Sequence, residues 1–383
     1  MIYLFWFSII FVFYAYFGYP LLLLLFTVIN KKKYPEKTGR VDNFYPKVAL
    51  LISAYNEEKV IEDKILNSLE LNYPKELLEI VVVSDGSNDK TNEIAARYAD
   101  KGVVLRYFEG RIGKTACLNR VVPLAKDDII VFSDANSRYD KEAIKELVKH
   151  FADKKIGFVT GGTKYVAEEG NGIVNSIGLY SKIEQITKAL ESKISSPVGA
   201  DGAIFAIRKS LYRPLKEYDI NDFVIPLNII KQGFKGIYEP EAFCIEKTSK
   251  GANGEFNRQV RITNRTIRAI VNNRELLSPF NHGAFSFQLI SHKVCKLLVP
   301  YFLILLLFTN ILLISSEFLY IAALIGQIVI YLLSWLGYRG YSLKGLSKLI
   351  NMSHTFINVN YAILWGWIKY IQGEKYTTWG TVR

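Results

Sequence analysis

Apolar residues in this chain fall into two kinds of run. The long kind begins at once: residues 2–29 read IYLFWFSIIFVFYAYFGYPLLLLLFTVI, without a charge. A helix needs about 20 apolar residues to cross a hydrocarbon core, so this run is long enough to span one. Residues 297–316 and 318–338 are also long enough, whereas 354–371 is shorter and carries Asn358 and Asn360. The short kind lies between these. Val48–Ala54, Leu78–Asp85, Val103–Phe108, Ile129–Asp134 and the run from Ile156 are continuous and end in polar clusters. Such runs predict strands buried on both faces, as in a parallel sheet. Helical periodicity separates them over 57–69, 88–98, 114–125 and 141–151. Alternation of strand and helix predicts an α/β fold with a doubly wound, mostly parallel sheet. In such sheets ligands bind at the carboxyl ends of the strands, where the polar clusters fall.

The expected division is an N-terminal transmembrane helix over 1–30, a charged, turn-rich linker over 31–45 and a soluble domain over 46–255. Interfacial amphipathic helices over 256–296, C-terminal transmembrane helices over 297–372 and a tail over 373–383 complete it. Lys31, Lys32 and Lys33 follow the first run and no basic residue precedes it. That order is unlike a signal peptide. It puts the N-terminus outside and the soluble domain on the cytosolic face of the cell (inner) membrane, in a multi-pass protein. Three C-terminal crossings would carry the tail outside. Lys375 and Arg383 disfavour that side, so an interfacial last segment stays open.

Half of the 383 residues are hydrophobic, with 24 Tyr and 23 Phe, too apolar for an ordinary soluble domain. The net charge of +12 raises the question of nucleic acid. The basic residues, however, crowd the edges of the apolar segments, at Arg258–Arg274, Lys293, Lys296 and Arg339–Lys348. That placement suits anionic membrane lipids, and no nucleic-acid partner is expected. Cys117, Cys244 and Cys295 are far apart and show no metal-ligand spacing, so free thiols are expected. The apolar runs hold almost no ionisable residues, which counts against a transporter.

The chemistry sits in the polar clusters. After the first strand, Ser53-Ala54-Tyr55-Asn56-Glu57-Glu58 can offer backbone groups and carboxylates to a base and ribose, or cap the next helix. After the second, Asp85 precedes Gly86 and can hydrogen-bond a nucleoside. Asn88 or Asp89 there would serve equally as a helix cap. Arg111-Ile-Gly-Lys114 lacks the Gly of a phosphate loop, with Phe108 in its place. As a basic loop at a helix start it still favours a diphosphate, with Lys114 as the contact or as a solvated surface lysine. Asp134 and Asn136 project to the same side of an extended chain. With a diphosphate they can ligate Mg²⁺ or Mn²⁺, or form a metal-free polar turn. Gly199-Ala-Asp201-Gly202-Ala203 suggests close backbone approach to a donor or acceptor sugar, or a bulge. Asp222 opens a helical run, as a cap or as a general base that takes a proton from an acceptor hydroxyl.

The ordered set SAYNEE, Asp85, RxGKxxxLN, Asp134-Ala-Asn136, GADGA and Asn221-Asp222, over roughly 45–265, resembles family 2 glycosyltransferases. The resemblance is to the membrane-integrated group of cellulose, hyaluronan and poly-N-acetylglucosamine synthases. It implies a GT-A-type fold, a nucleotide-sugar donor that is usually a UDP-sugar, a glycan or lipid acceptor, and inversion at the anomeric carbon. It also implies nucleoside contacts at Glu57 and Asp85, a metal-diphosphate contact at Asp134 and the base at Asp222. Two departures stand out. Asn136 replaces the family's second Asp, and Arg258-Gln-Val-Arg261-Ile262 is a degraded form of its Gln-x-x-Arg-Trp motif. Arg261 can still clamp a diphosphate, but Ile262 cannot stack on a sugar. Rival expectations are single-sugar transfer to a lipid carrier and a non-catalytic membrane scaffold.

Overall fold

The computed structural model describes residues 1–30, 44–166, 173–247, 252–341, 343 and 345–378, the side chains of 173–180 and 252–253 apart. The expected linker at 31–45, with Lys31 to Lys33, falls almost wholly outside the described residues.

The chain begins with helix α1 (Ile2–Ile29). The domain that follows is built on eight strands: β1 Val48–Ala54, β2 Leu78–Asp85, β3 Val103–Phe108, β4 Ile129–Asp134, β5 Arg138–Tyr139, β6 Ile156–Val166, β7 Ile204–Arg208 and β8 Lys235–Lys247. They form one sheet in the order β3-β2-β1-β4-β7-β6-β8-β5. The pairs β1/β2, β1/β4, β2/β3 and β6/β8 are parallel. β7 runs antiparallel to both β4 and β6, and β5 antiparallel to β8. The sheet is therefore mixed, with a parallel half that carries the polar clusters. β7 reverses because the turn 199–203 that feeds it lies at the carboxyl end of β4, so the strand must run back.

Helices α2 (Ile61–Leu69), α3 (Thr91–Ala96), α4 (Lys114–Val121) and α5 (Ala143–Val148) connect the first strands, and α6 (Ile173–Ile194) and α7 (Asn221–Lys231) follow. α2 and α3 start later than periodicity predicts, because residues 56–58 and 88–90 are drawn into loop-to-loop hydrogen bonds. Every residue of β1 is buried, and its side chains feed two cores in alternation. Ala49 and Leu51 join one face; Val48, Leu50, Ile52 and Ala54 join the other. Truncating Leu50 to Ala at such a site costs about 2–5 kcal/mol.

After β8 come α8 (Ala252–Asn272), α9 (Ala284–Leu312), α10 (Phe318–Tyr338) and α11 (Ser347–Ile371). Among the described residues, α1, α9 and α10 are long and apolar enough to cross a membrane. The interfacial helix expected before 297 is continuous with the next span, so α9 is one rod from Ala284. Two of these rods contain a π turn, Tyr14–Gly18 in α1 and Ile290–Val294 in α9. The two turns touch: the Tyr14 hydroxyl lies 2.7 Å from Ser291 Oγ.

Helix α11 packs on α8 at Gly366, where a Cβ would lie 2.6 Å from Thr263 Cβ. Its Trp367 Nε1 donates to Leu297 O at 2.9 Å. Beyond it, the Glu374 carbonyl accepts from Arg268 Nη2 at 2.6 Å and Asn264 Nδ2 at 3.2 Å. The residues after α11 thus rest on the sheet domain's own helix α8.

Candidate active site

The first three polar clusters meet because β1, β2 and β4 are parallel and in register, with Ala54 level with Ser84 and Ser53 level with Asp134. The loop after β1 is fastened to the loop after β2. Asn56, with a left-handed φ of 53°, accepts from the Asn88 amide at 2.9 Å and donates its own to Ser87 Oγ at 3.1 Å. The Glu57 amide donates to Thr91 Oγ1 at 2.8 Å, and the Glu57 side chain is buried. Asp89 accepts from the Thr91 amide at 3.0 Å just before α3, whereas Asp85 is bonded to the loop after β3. Ala54 closes the strand, and the Tyr55 ring lies 4.0 Å from the Arg111 guanidinium, forming a wall between the two loops.

Asp85 is fully buried. Its Oδ1 accepts from the amides of Ile112 at 2.8 Å and Gly113 at 2.9 Å, so it holds the basic loop against the sheet. That loop delivers Lys114 to β4: Lys114 Nζ lies 2.5 Å from Asp134 Oδ1. Gly113, at φ 95°, is needed there, since a Cβ would meet the Thr377 carbonyl oxygen at 2.5 Å. The chain's last described residues therefore cover the basic loop.

Asn136 is half-buried beside Asp134. Behind them Ser137 donates its hydroxyl to Glu246 and accepts from buried Lys64 at its carbonyl, at 2.6 Å. Burial, with Asp134 next, pushes the Glu246 carboxyl up to about 7. Among the described residues no group of three or more His, Cys, Asp or Glu could hold a metal ion. The donor set Asp134 and Asn136 still suits a cation, because the Lys114 ammonium sits on Asp134 as a stand-in for one. A divalent ion here would draw its remaining ligands from a diphosphate and water.

Asp201 braces its own turn. Its carboxylate accepts from the Thr163 amide at 3.0 Å, the Thr163 hydroxyl at 2.9 Å and the Ala203 amide at 3.1 Å, locking the turn to β6. Gly202 instead backs onto Asp222, and a Cβ there would lie 2.9 Å from Asp222 Oδ2. At the start of α7 no side chain caps the helix, so Asp222 is not spent on that role. Its Oδ1 is buried without a hydrogen bond. Burial raises the Asp222 carboxyl above its ordinary range; Lys114, Lys188 and Arg265 pull it down and Asp134 pushes it up. Lys114 and Asp134 both act on the Asp222 carboxyl, and the Thr115 hydroxyl beside Lys114 donates to the Asp219 carbonyl at 2.9 Å, so the segments that carry the base candidate and the metal candidate are joined.

On α8, Arg261 is held below its ordinary range by burial and by its neighbours Arg258 and Arg111. Arg258 is taken by Glu255 at 2.7 Å, whereas Arg261 has no carboxylate partner among the described residues. Sequence reasoning missed Arg265. Its guanidinium donates to the Asp219 and Tyr218 carbonyls just before Asp222, and burial lowers it to about 10. Its spacing of four residues from Arg261, one helical turn, was the available signal.

Residues 49–214 match the family described as Glycosyl transferase family 2. The chain is 26% identical over 229 residues to poly-beta-1,6-N-acetyl-D-glucosamine synthase of Staphylococcus aureus, covering 56% of this chain and 53% of that one. It is 28% identical over 213 residues to the probable glycosyltransferase YdaM of Bacillus subtilis, covering 53% and 51%. It spans about half the length of these curated relatives. Among solved structures it resembles the mannosyltransferase PcManGT of Pyrobaculum calidifontis in complex with GDP-Man and Mn²⁺. The TM-score is 0.72 at 19% identity, over 97% of this chain and 100% of that one, a likeness of fold. The mixed sheet with its parallel half is thus of the GT-A type. Over residues 49–214 the chain is similar to glycosyl transferase family 2 domains.

Proposed function

We propose that this chain transfers a sugar from a nucleotide-sugar, a UDP-sugar first, to an acceptor hydroxyl at the cytosolic face of the cell membrane, with inversion. The observation that carries the reading is the Lys114–Asp134 pair, within electrostatic reach of Asp222, whose buried carboxylate oxygen Oδ1 has no hydrogen-bond partner. Asp222 takes the proton of the acceptor hydroxyl. The oxygen bonds to the anomeric carbon from the face opposite the diphosphate, and the carbon–oxygen bond to the diphosphate breaks. One such displacement inverts the centre. Ala54, Tyr55, Glu57 and Asp85 frame the nucleoside end, and Arg261 and Lys114 face the diphosphate. Asp134 and Asn136 would hold Mg²⁺ or Mn²⁺, which neutralises charge on the departing group. Asp201 and Gly202 shape the sugar end through the turn that backs Asp222.

N-acetylglucosamine and mannose, the sugars in the relatives' names, are the donors to try first. The test is nucleoside diphosphate release by the purified chain in detergent with Mn²⁺ and UDP-N-acetylglucosamine, other UDP-sugars or GDP-mannose, with the product anomer read by NMR. Release with none of them, or a retained anomer, would overturn the reading.

A lipid acceptor is the second reading. An apolar cavity of about 420 Å³ opens among α1, α9, α10 and α11, lined by Phe5, Tyr16, Leu306, Gln327 and Phe356, and suits an acyl or isoprenoid chain. Product that partitions into organic solvent would favour it.

A further inference from the structure

Helix α2 buries a lysine. Ile61, Lys64, Ile65 and Ser68 all lie on its buried side, and Lys64 is 3% exposed. A buried amine is costly unless it is bonded. Lys64 Nζ donates to the Ser137 carbonyl at 2.6 Å and lies 3.8 Å from the centre of the Tyr139 ring. Burial draws its ammonium down to about 7, and the neutral amine can still donate this bond.

Ser137 is itself fully buried, one residue past Asn136. Its amide donates to the Asp134 carbonyl at 3.3 Å, which closes the turn around Ala135 and Asn136. Its hydroxyl donates to Glu246 on β8. The turn is therefore gripped from two elements, α2 and β8. Just beyond it, Asn67 of α2 exchanges two bonds with the Tyr139 backbone, at 2.8 and 2.9 Å, and Tyr139 pairs with Cys244 of β8. A shift of the turn would have to break bonds to both elements. Asn136, unlike a carboxylate, has no charge to draw a cation in, so its value as a ligand depends on being held in place.

We propose that Lys64 and Glu246 are positioning residues for the metal-binding pair, holding Asn136 beside Asp134 through Ser137. The proposal rests on Asp134 and Asn136 as the metal ligands. It extends the site to α2 and β8, neither of which carries a residue that faces the donor's diphosphate.

Two measurements on the full chain in detergent test it. Lys64→Met removes one anchor and Ser137→Ala the other, whereas Glu246→Gln keeps an oxygen that can accept from Ser137. The first measurement is titration calorimetry of UDP at varied Mn²⁺. The Mn²⁺ needed for half-maximal UDP binding should rise about tenfold in Lys64→Met and in Ser137→Ala, with UDP affinity in chelator unchanged and Glu246→Gln close to wild type. An unmoved Mn²⁺ requirement in Ser137→Ala or, where it folds, in Lys64→Met would overturn the proposal. So would a matching loss of UDP affinity in chelator, the mark of general damage. The second is amide hydrogen exchange without metal. Residues 136–139 should exchange about tenfold faster in the two variants while β1 stays as protected as in the wild type. Unchanged exchange in that turn would also overturn it. Wild-type turnover undiminished by chelator would instead reject the metal reading, and the exchange rates would still decide whether Lys64 and Glu246 hold the turn.

Discussion

Lys114 Nζ and Asp134 Oδ1 lie 2.5 Å apart, so the loop proposed to face the diphosphate closes on the carboxylate that would hold the metal. A divalent ion must displace this ammonium. Lys114→Met should therefore bind Mn²⁺ more tightly in the absence of nucleotide. Asp134→Ala should weaken UDP binding in Mn²⁺ by about tenfold or more, ~1.4 kcal/mol. Titration calorimetry with and without chelator reads both, and equal UDP affinity in chelator would sink the metal site.

Asp222→Asn keeps the shape of the side chain and removes its basicity. Turnover should fall by about 10²–10⁴, with UDP affinity intact. Stopped-time assays beside calorimetry separate the two quantities, and a parallel loss of both would point to a folding defect instead.

Gly202→Ala places a methyl 2.9 Å from Asp222 Oδ2, too close for the carboxylate to stay where it is. Misplacing a reacting group by about 1 Å can cost 10²-fold in rate. We expect kcat to drop by at least about tenfold while the melting temperature changes little. Unchanged kcat would show that the base tolerates the shift.

Thr377 lies over Gly113, on the sheet domain. Thr377→Cys in intact cells should resist a membrane-impermeant maleimide and react in inverted vesicles. Efficient labelling from outside would require α11 to cross fully and would contradict the contact.

Glu246 carries a pH signature. Its folded value of about 7 lies above the ordinary 4.5, so the folded chain holds a proton that the unfolded chain has released. The stability tied to that proton is full below about pH 4.5 and is lost as pH rises through 7. Glu246→Gln should match the wild type near pH 4.5 and be the more thermostable form above pH 7. Melting curves that differ by the same amount at every pH would refute this.

The parallel half of the fold was legible because its strands are buried on both faces and read as unbroken apolar runs; β1 from Val48 to Ala54 is the clearest case. The antiparallel β7 was recognisable as a strand but not in its direction, which is set by the turn at Gly199–Ala203 and leaves no mark in Ile204–Arg208. Asp134, Asn136 and Asp222 could be singled out as candidates because strand ends and helix starts are local features. Arg265 could not be placed, since its meaning comes from the Tyr218 and Asp219 carbonyls, 47 and 46 positions away. Asp201 was readable as a turn residue or a ligand, and only its bonds to Thr163 reveal the turn.

The touching π turns in α1 and α9 set where each helix can change length. Each holds a residue more than an α turn would. Deleting one residue from Tyr14–Gly18 would return α1 to a regular helix, and because five residues of a π turn wind about as far as four of an α turn, everything beyond would nearly keep its rotation. Tyr19 would still reach Glu191, and Leu23 would still pack on Leu190. An insertion or deletion in the regular turns on either side has no such slack and would rotate the rest of the helix by about 100°. The exposed apolar positions can change in composition, while the rotation between Tyr14 and Tyr19 is set by the hydrogen bonds at its two ends, one to α9 and one to α6.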